Sequence, residues 1–130
     1  MSDEDELSPL SEAQIEIMSV FWEKGETTVS DVWKALQQKR PIARTTVLTM
    51  IDRLEKKGWL KRRIADQQHF YSAARTREST LGTLVQRLVA TAFSGSAEDL
   101  VLALLSGRGV TDDEARRIRA LIEKSRRKQP

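Results

Sequence analysis

Between Arg44 and Gly58 the sequence reads RTTVLTMIDRLEKKG, and this stretch restricts the fold more than any other. Val47, Met50, Ile51 and Leu54 recur at the spacing of one helical stripe. Arg44, Thr45, Leu48, Thr49, Asp52 and Glu55 fall largely on the other side, with Arg53 and Lys56 flanking. The spacing predicts a helix over about 44–57, closed by Gly58 as a C-terminal cap. Its apolar side must be held by other elements, and its threonine-bearing side is left to face solvent or a ligand.

The neighbouring segments supply those elements. Ser11-Glu12-Ala13-Gln14 has capping-box spacing, Ile17, Met18, Phe21 and Trp22 share one face, and Gly25 ends the run. Thr28-Val29-Ser30-Asp31 repeats the capping logic before Val29, Val32, Trp33 and Leu36, predicting a second helix over about 29–38 that Pro41 separates from the third. After Gly58, two short segments, Trp59–Ile64 and His69–Ala73, flank a polar turn, Ala65-Asp66-Gln67-Gln68. They read as a β-hairpin without the usual Asn-Gly or Asp-Gly signal. Three helices and a hairpin form the order of a winged helix-turn-helix, whose third helix enters the major groove of DNA.

Charge supports that reading. The formal net charge of +3 conceals a segregation. Residues 1–26 carry eight acids and one lysine, net −7, whereas residues 39–63 carry nine bases and two acids, net +7. Residues 116–130 carry seven bases and one acid, net +6. A basic block inside a folded domain is the footprint of a polyanion partner. Threonine hydroxyls and methyls suit base edges and thymine methyls. Arg44, Thr45, Thr46, Thr49 and Arg53 on the third helix and Lys61, Arg62 and Arg63 on the wing are the candidate DNA-binding residues. Each also has a plainer role available. Arg53 can pair with Asp52 or Glu55, Arg62 or Arg63 can protect a strand edge, and Trp22, Trp33 and Trp59 are core anchors before they are ligand-stacking residues. His69, the one histidine, reads as a wing residue without a special role.

The second half is helical in pattern. Leu81, Leu84, Val85, Leu88, Val89 and Ala92 make an apolar stripe over about 77–93, and Ser94-Gly95-Ser96 interrupts it. Glu98–Leu105 reads as a short apolar helix, and Ser106-Gly107-Arg108-Gly109 as a loop. Thr111-Asp112-Asp113-Glu114 opens a last helix with Ala115, Ile118, Leu121 and Ile122 on one face. So apolar a stripe needs a partner, and the economical one is a second copy. The candidate dimerisation residues are Leu81, Leu84, Val85, Leu88, Leu100, Leu104, Ile118, Leu121 and Ile122, and two DNA-binding domains then face a pseudo-palindromic operator. The alternative is that these helices fold back on their own domain. Leu100–Leu105 is expected to be buried in either arrangement.

The resulting fold class is mainly α with a small β wing (α+β). An acidic segment, 1–10, expected to be mobile, precedes a winged helix at 11–75 and a helical dimerisation domain at 76–130. With no cysteine and one histidine, thiolate metal sites, disulfides and Cys–His nucleophiles drop out. No glycine-rich phosphate loop is present. The expectation is a protein without catalysis, cofactor or metal. No apolar run approaches the ~20 residues of a membrane span, and the start has no signal-peptide pattern, which suggests a cytoplasmic protein that is not inserted in a membrane.

LSEAQIEIMSVFWEKGETTVSDVW, ARTTVLTMIDRLEKKGWLKR and AEDLVLALLSGRGVTDDEARRIRALIEK together resemble the BlaI/MecI family of winged-helix repressors, the penicillinase repressors, from about Leu10 to Lys124. The resemblance implies a homodimeric repressor on an inverted-repeat operator, with Arg44, Thr45, Thr46 and Thr49 at positions that contact or approach DNA. It also implies release through a membrane sensor protease pathway, with a cut in the dimerisation domain. Well-known members are cut between asparagine and phenylalanine in a segment matching Leu102–Leu105. This chain has Ala103-Leu104 there, apolar but without the asparagine. The copper-responsive branch uses C-terminal cysteines, which this chain lacks, and the wing turn lacks the family's common glycine. A winged-helix module that binds proteins is the competing reading.

Overall fold

A computed structural model describes residues 7–128. Its elements run α1 (Glu12–Lys24), α2 (Val29–Gln37), α3 (Arg44–Lys56), β1 (Leu60–Ala65), β2 (Gln68–Ala73), α4 (Arg77–Ala92), α5 (Ala97–Gly107) and α6 (Asp112–Lys128). This is the mainly helical architecture with a two-stranded wing that the patterning predicts.

The helix boundaries have local causes. Ser11 caps α1 with a full capping box: Ser11 Oγ accepts from Gln14 N–H at 3.2 Å, and Gln14 Oε1 accepts from Ser11 N–H at 2.9 Å. Thr28 Oγ1 caps α2 by accepting from Asp31 N–H at 3.2 Å. A Schellman motif ends α3: Trp59 N–H donates to Leu54 O at 2.9 Å and Gly58 N–H to Glu55 O at 3.1 Å. Gly58 provides the left-handed φ of 92° that this motif requires.

α1, α2, α3 and the hairpin close around one core, in which Ile17, Met18, Phe21, Val32, Leu36, Val47, Ile51 and Leu54 are almost wholly buried. Trp59 and Tyr71 complete it from the hairpin side. Trp22 and Trp33 pack at its margin with their indole N–H groups satisfied, donating to Arg75 O at 2.9 Å and Ile42 O at 2.8 Å. All three tryptophans are structural.

The first six residues of the segment expected to be mobile lie outside the described residues. From Leu7 onward the chain is on the core: Leu10 is buried, Leu7 packs beside Gly58, and Ser8 O accepts from the Trp59 indole at 3.2 Å.

β1 and β2 pair antiparallel with Leu60 opposite Ala73, Arg62 opposite Tyr71 and Ile64 opposite His69. The connection is tighter than the four-residue turn expected, because Ala65 and Gln68 already pair. Only Asp66 and Gln67 are left, both with positive φ (49° and 63°), the backbone signs of a type I′ turn. Thr27 forms a bridge to Tyr71, with N–H···O distances of 2.9 and 2.8 Å, and so adds a one-residue third strand beside β2.

The chain divides into two compact units between Leu84 and Val85, inside α4. The composition changes earlier, near Ala74–Ser79, but the first turns of α4 belong to the N-terminal unit, where Thr80 is buried. In the C-terminal unit, α5 extends through Ser106 and Gly107, which corrects the loop expected there. Ser96 Oγ caps its start by accepting from Asp99 N–H at 3.0 Å. Leu100–Leu105 is not buried: Leu100 is half-exposed, and Val101, Leu102, Leu104 and Leu105 are 44–53% exposed. The single chain therefore leaves uncovered a stripe whose burial the sequence predicts in any arrangement.

Candidate nucleic-acid interface

α3 is held on one side and free on the other. Val47, Ile51 and Leu54 have no exposure, Met50 is half-buried, and the helix advances 100° per residue. Thr45, Thr49, Asp52 and Lys56 therefore point directly outward. Arg44 and Leu48 lie along one flank, Thr46 and Arg53 along the other, and all four are exposed. Lys56 Nζ pairs with Asp52 at 3.0 Å, one turn apart. Arg53 takes neither of the acidic partners open to it in the sequence. Among the described residues, Arg44, Arg53, Lys61 and Arg62 form no ion pair.

Thr49 has a specific state. Its hydroxyl donates to Thr45 O at 2.9 Å. The outward-facing groups at this position are therefore a methyl and an oxygen lone pair. Such a surface complements a thymine methyl or an exocyclic amino group rather than an acceptor.

A cleft of about 450 Å³ runs between α3 and the wing. The start of α2 contributes Thr28 and Ser30, α3 contributes Arg44, Thr45 and Leu48, and the wing contributes Gln67, Gln68 and His69. Two helix N-termini thus open onto a cleft that also carries an arginine, an arrangement that favours anions. Thr28, Ser30, Gln67, Gln68 and His69 are additions to the predicted set. They come from segments up to about 40 residues apart in sequence, and only the closure of the hairpin against α2 brings them together.

The wing divides its basic residues between two faces. Arg62 lies opposite Tyr71 and Ile64 opposite His69, on the sheet face of those two cleft-lining residues, whereas Lys61 and Arg63 alternate to the other face. Arg63 is already engaged there. Its Nε and Nη2 donate to the two Glu26 carboxylate oxygens at 2.9 and 2.7 Å, and its guanidinium carbon sits 5.1 Å from the Phe70 ring centroid. These hydrogen bonds hold the Glu26 carboxyl below its ordinary range, against the opposing effect of desolvation, and raise Arg63 in turn.

The predicted dimerisation residues fall in two settings. Leu81 and Leu84 are half-buried in the N-terminal unit. Val85, Leu88 and Leu104 are 44–47% exposed, Leu100 is half-exposed, and Ile118, Leu121 and Ile122 lie at 36%, 65% and 51% on α6. Ala103 and Leu104 are exposed in the middle of α5. No single described helix is long and apolar enough to cross a membrane. No group of three or more potential metal ligands occurs among the described residues.

Known proteins share this arrangement. A family model described as penicillinase repressor matches residues 10–124. The transcriptional regulator BlaI of Mycobacterium tuberculosis is 31% identical over 119 residues, covering 90% of this chain and 86% of its own. The methicillin resistance regulatory protein MecI of Mammaliicoccus sciuri is 25% identical, over 88% and 94%. Among solved structures, the DNA-binding domain of the repressor BlaI superposes with a TM-score of 0.50 at 27% identity, covering 55% of this chain and 87% of that one. A mutant MarR of Escherichia coli gives 0.53 at 21% identity over 89% and 77%, a likeness of fold. Since the family match runs through both compact units, the chain belongs to the penicillinase repressor family.

Proposed function

We propose that this protein is a sequence-specific transcriptional repressor that binds an inverted-repeat operator in double-stranded DNA as a homodimer, without catalysis of its own. One observation carries the reading. α3 is fixed by a fully buried stripe and presents Thr45 and Thr49 outward, beside a cleft that carries Arg44. Relatives named as transcriptional and resistance regulators, and the named DNA-binding domain of BlaI, support it. In this reading the outward face of α3 reads base edges. Arg44, the two helix starts and the wing hold phosphates, which set the register. Such a repressor works in the cytoplasm.

The homodimer rests on α4, α5 and α6, where Val85, Leu88, Leu104, Ile118, Leu121 and Ile122 are exposed in the single chain. A second copy covers them and sets the two α3 helices about one helical turn of DNA apart, or a multiple of it. Release by proteolysis at Ala103–Leu104 belongs to the same proposal. The bond lies within a helix, so a cut requires α5 to unwind. Incubation with the cognate sensor protease that leaves the chain intact removes this part.

The test is operator binding by Arg44→Ala and Thr49→Ala. Each is expected to lose on the order of 1–3 kcal/mol where the residue reads a base. Against a thymine methyl, Thr49→Val, which keeps the methyl, is expected to lose less than Thr49→Ser, and against an exocyclic amino group the order reverses. Unchanged affinity in both alanine variants overturns this orientation of α3.

A further inference from the structure

The wing carries two adjacent arginines, and the hairpin register turns them to opposite faces. Arg62 shares a sheet face with His69 and Tyr71, which line the cleft. Arg63 lies on the outer side, across from Phe70. There its guanidinium passes over the Phe70 ring and ends in a two-pronged contact with Glu26, at 2.9 and 2.7 Å. Glu26 is itself well placed, because its neighbour Thr27 makes two backbone hydrogen bonds with Tyr71. The contact therefore spans the sheet from the segment before α2, across β2, to β1. Two parallel charge-assisted hydrogen bonds fix an arginine in orientation as well as position. Moving Arg63 to a phosphate would strand the Glu26 carboxylate, unpaired, beside a polyanion.

We infer that Arg63 is a positioning residue rather than a phosphate contact: clamped by Glu26 over Phe70, it sets the angle of the wing, and Arg62 makes the phosphate contact of β1. This rests on the DNA-binding reading and refines it, because it assigns different work to two neighbouring residues of like charge.

Two measurements on the full-length protein test it, and one of them needs no DNA. The first is the salt dependence of operator binding. Arg62→Gln is expected to reduce the slope of log K against log salt by about 1.8 for the dimer, the loss of one phosphate in each subunit. Arg63→Gln is expected to leave the slope at the wild-type value. The second is amide hydrogen exchange of the hairpin in the free protein. Arg63→Gln and Glu26→Gln are each expected to speed exchange in β1 and β2, and the double variant no more than either alone. A slope loss of about 1.8 in Arg63→Gln overturns the inference, as does unchanged hairpin protection in both single variants. Wild-type protein that does not discriminate its operator at all defeats the DNA-binding reading instead, while the exchange data still decide the clamp.

Discussion

The helices α3 and α5 each carry five large apolar side chains, and these have opposite fates. The aliphatic stripe of α3 is sealed by α1, α2 and β1 within the same chain, and its core members show no exposure. α5 has four large aliphatic side chains 44–53% exposed and no buried residue. Hydrophobic sequence alone therefore does not dictate a closed core. The N-terminal unit has three helices and a hairpin set at angles that enclose a volume. In the C-terminal unit α5 and α6 barely pack against each other, so their apolar faces stay uncovered. These exposed aliphatic side chains are what the proposed second copy would cover.

The difference between the units can be broken or sharpened by substitution. The largest effect is expected in the closed core: Ile51→Ala should destabilise the N-terminal unit by about 2–5 kcal/mol in denaturant titration. Leu104→Ala should leave that unit's unfolding unchanged and weaken the dimer. Burying one leucine is worth roughly 1.5–3 kcal/mol, or about 10–100-fold in dissociation constant for each side chain lost, as read by sedimentation. Equal damage to the N-terminal unit by both substitutions would erase the distinction. Thr28→Ala removes the α2 cap and should cost about 0.5–2 kcal/mol, again only in the N-terminal unit.

Smaller changes probe the wing. Gln67→Gly should stabilise the hairpin by about 0.5–1 kcal/mol in thermal unfolding, since Gln67 sits at φ 63° without glycine's freedom. Acid should loosen the wing. The Glu26 carboxyl titrates below its ordinary 4.5, so its contribution is complete above that value and is lost as pH falls through the lowered one. Hairpin exchange protection should drop over that range in wild type and be flat in Glu26→Gln.

Much of the N-terminal unit is legible in the sequence because its determinants are local. Ser11 with Gln14, Thr28 with Asp31, and Gly58 behind the α3 stripe act within a few residues, and each boundary they mark is present. What cannot be read there depends on distant partners. Arg63 appears as one base in a basic run, and nothing local shows that Glu26, 37 residues earlier, claims it. His69 reads as incidental because its proximity to Arg44 and Thr28 exists only once the hairpin closes on α2. The wing turn reads as longer than it is because Asp66 and Gln67 adopt left-handed backbone that usually calls for asparagine or glycine. Ser106 and Gly107 look like loop, since both are weak helix formers, yet α5 runs through them to Gly107.

Sequence-specific binding through α3 is checked first on the DNA upstream of this protein's own gene. Affinity for that DNA is compared with affinity for random duplex of equal length at two salt concentrations. The upstream DNA is expected to be preferred by about a thousandfold or more, with both affinities falling steeply with salt. Equal, salt-sensitive binding to the two would contradict it, leaving a nonspecific basic domain whose partner is to be sought among proteins.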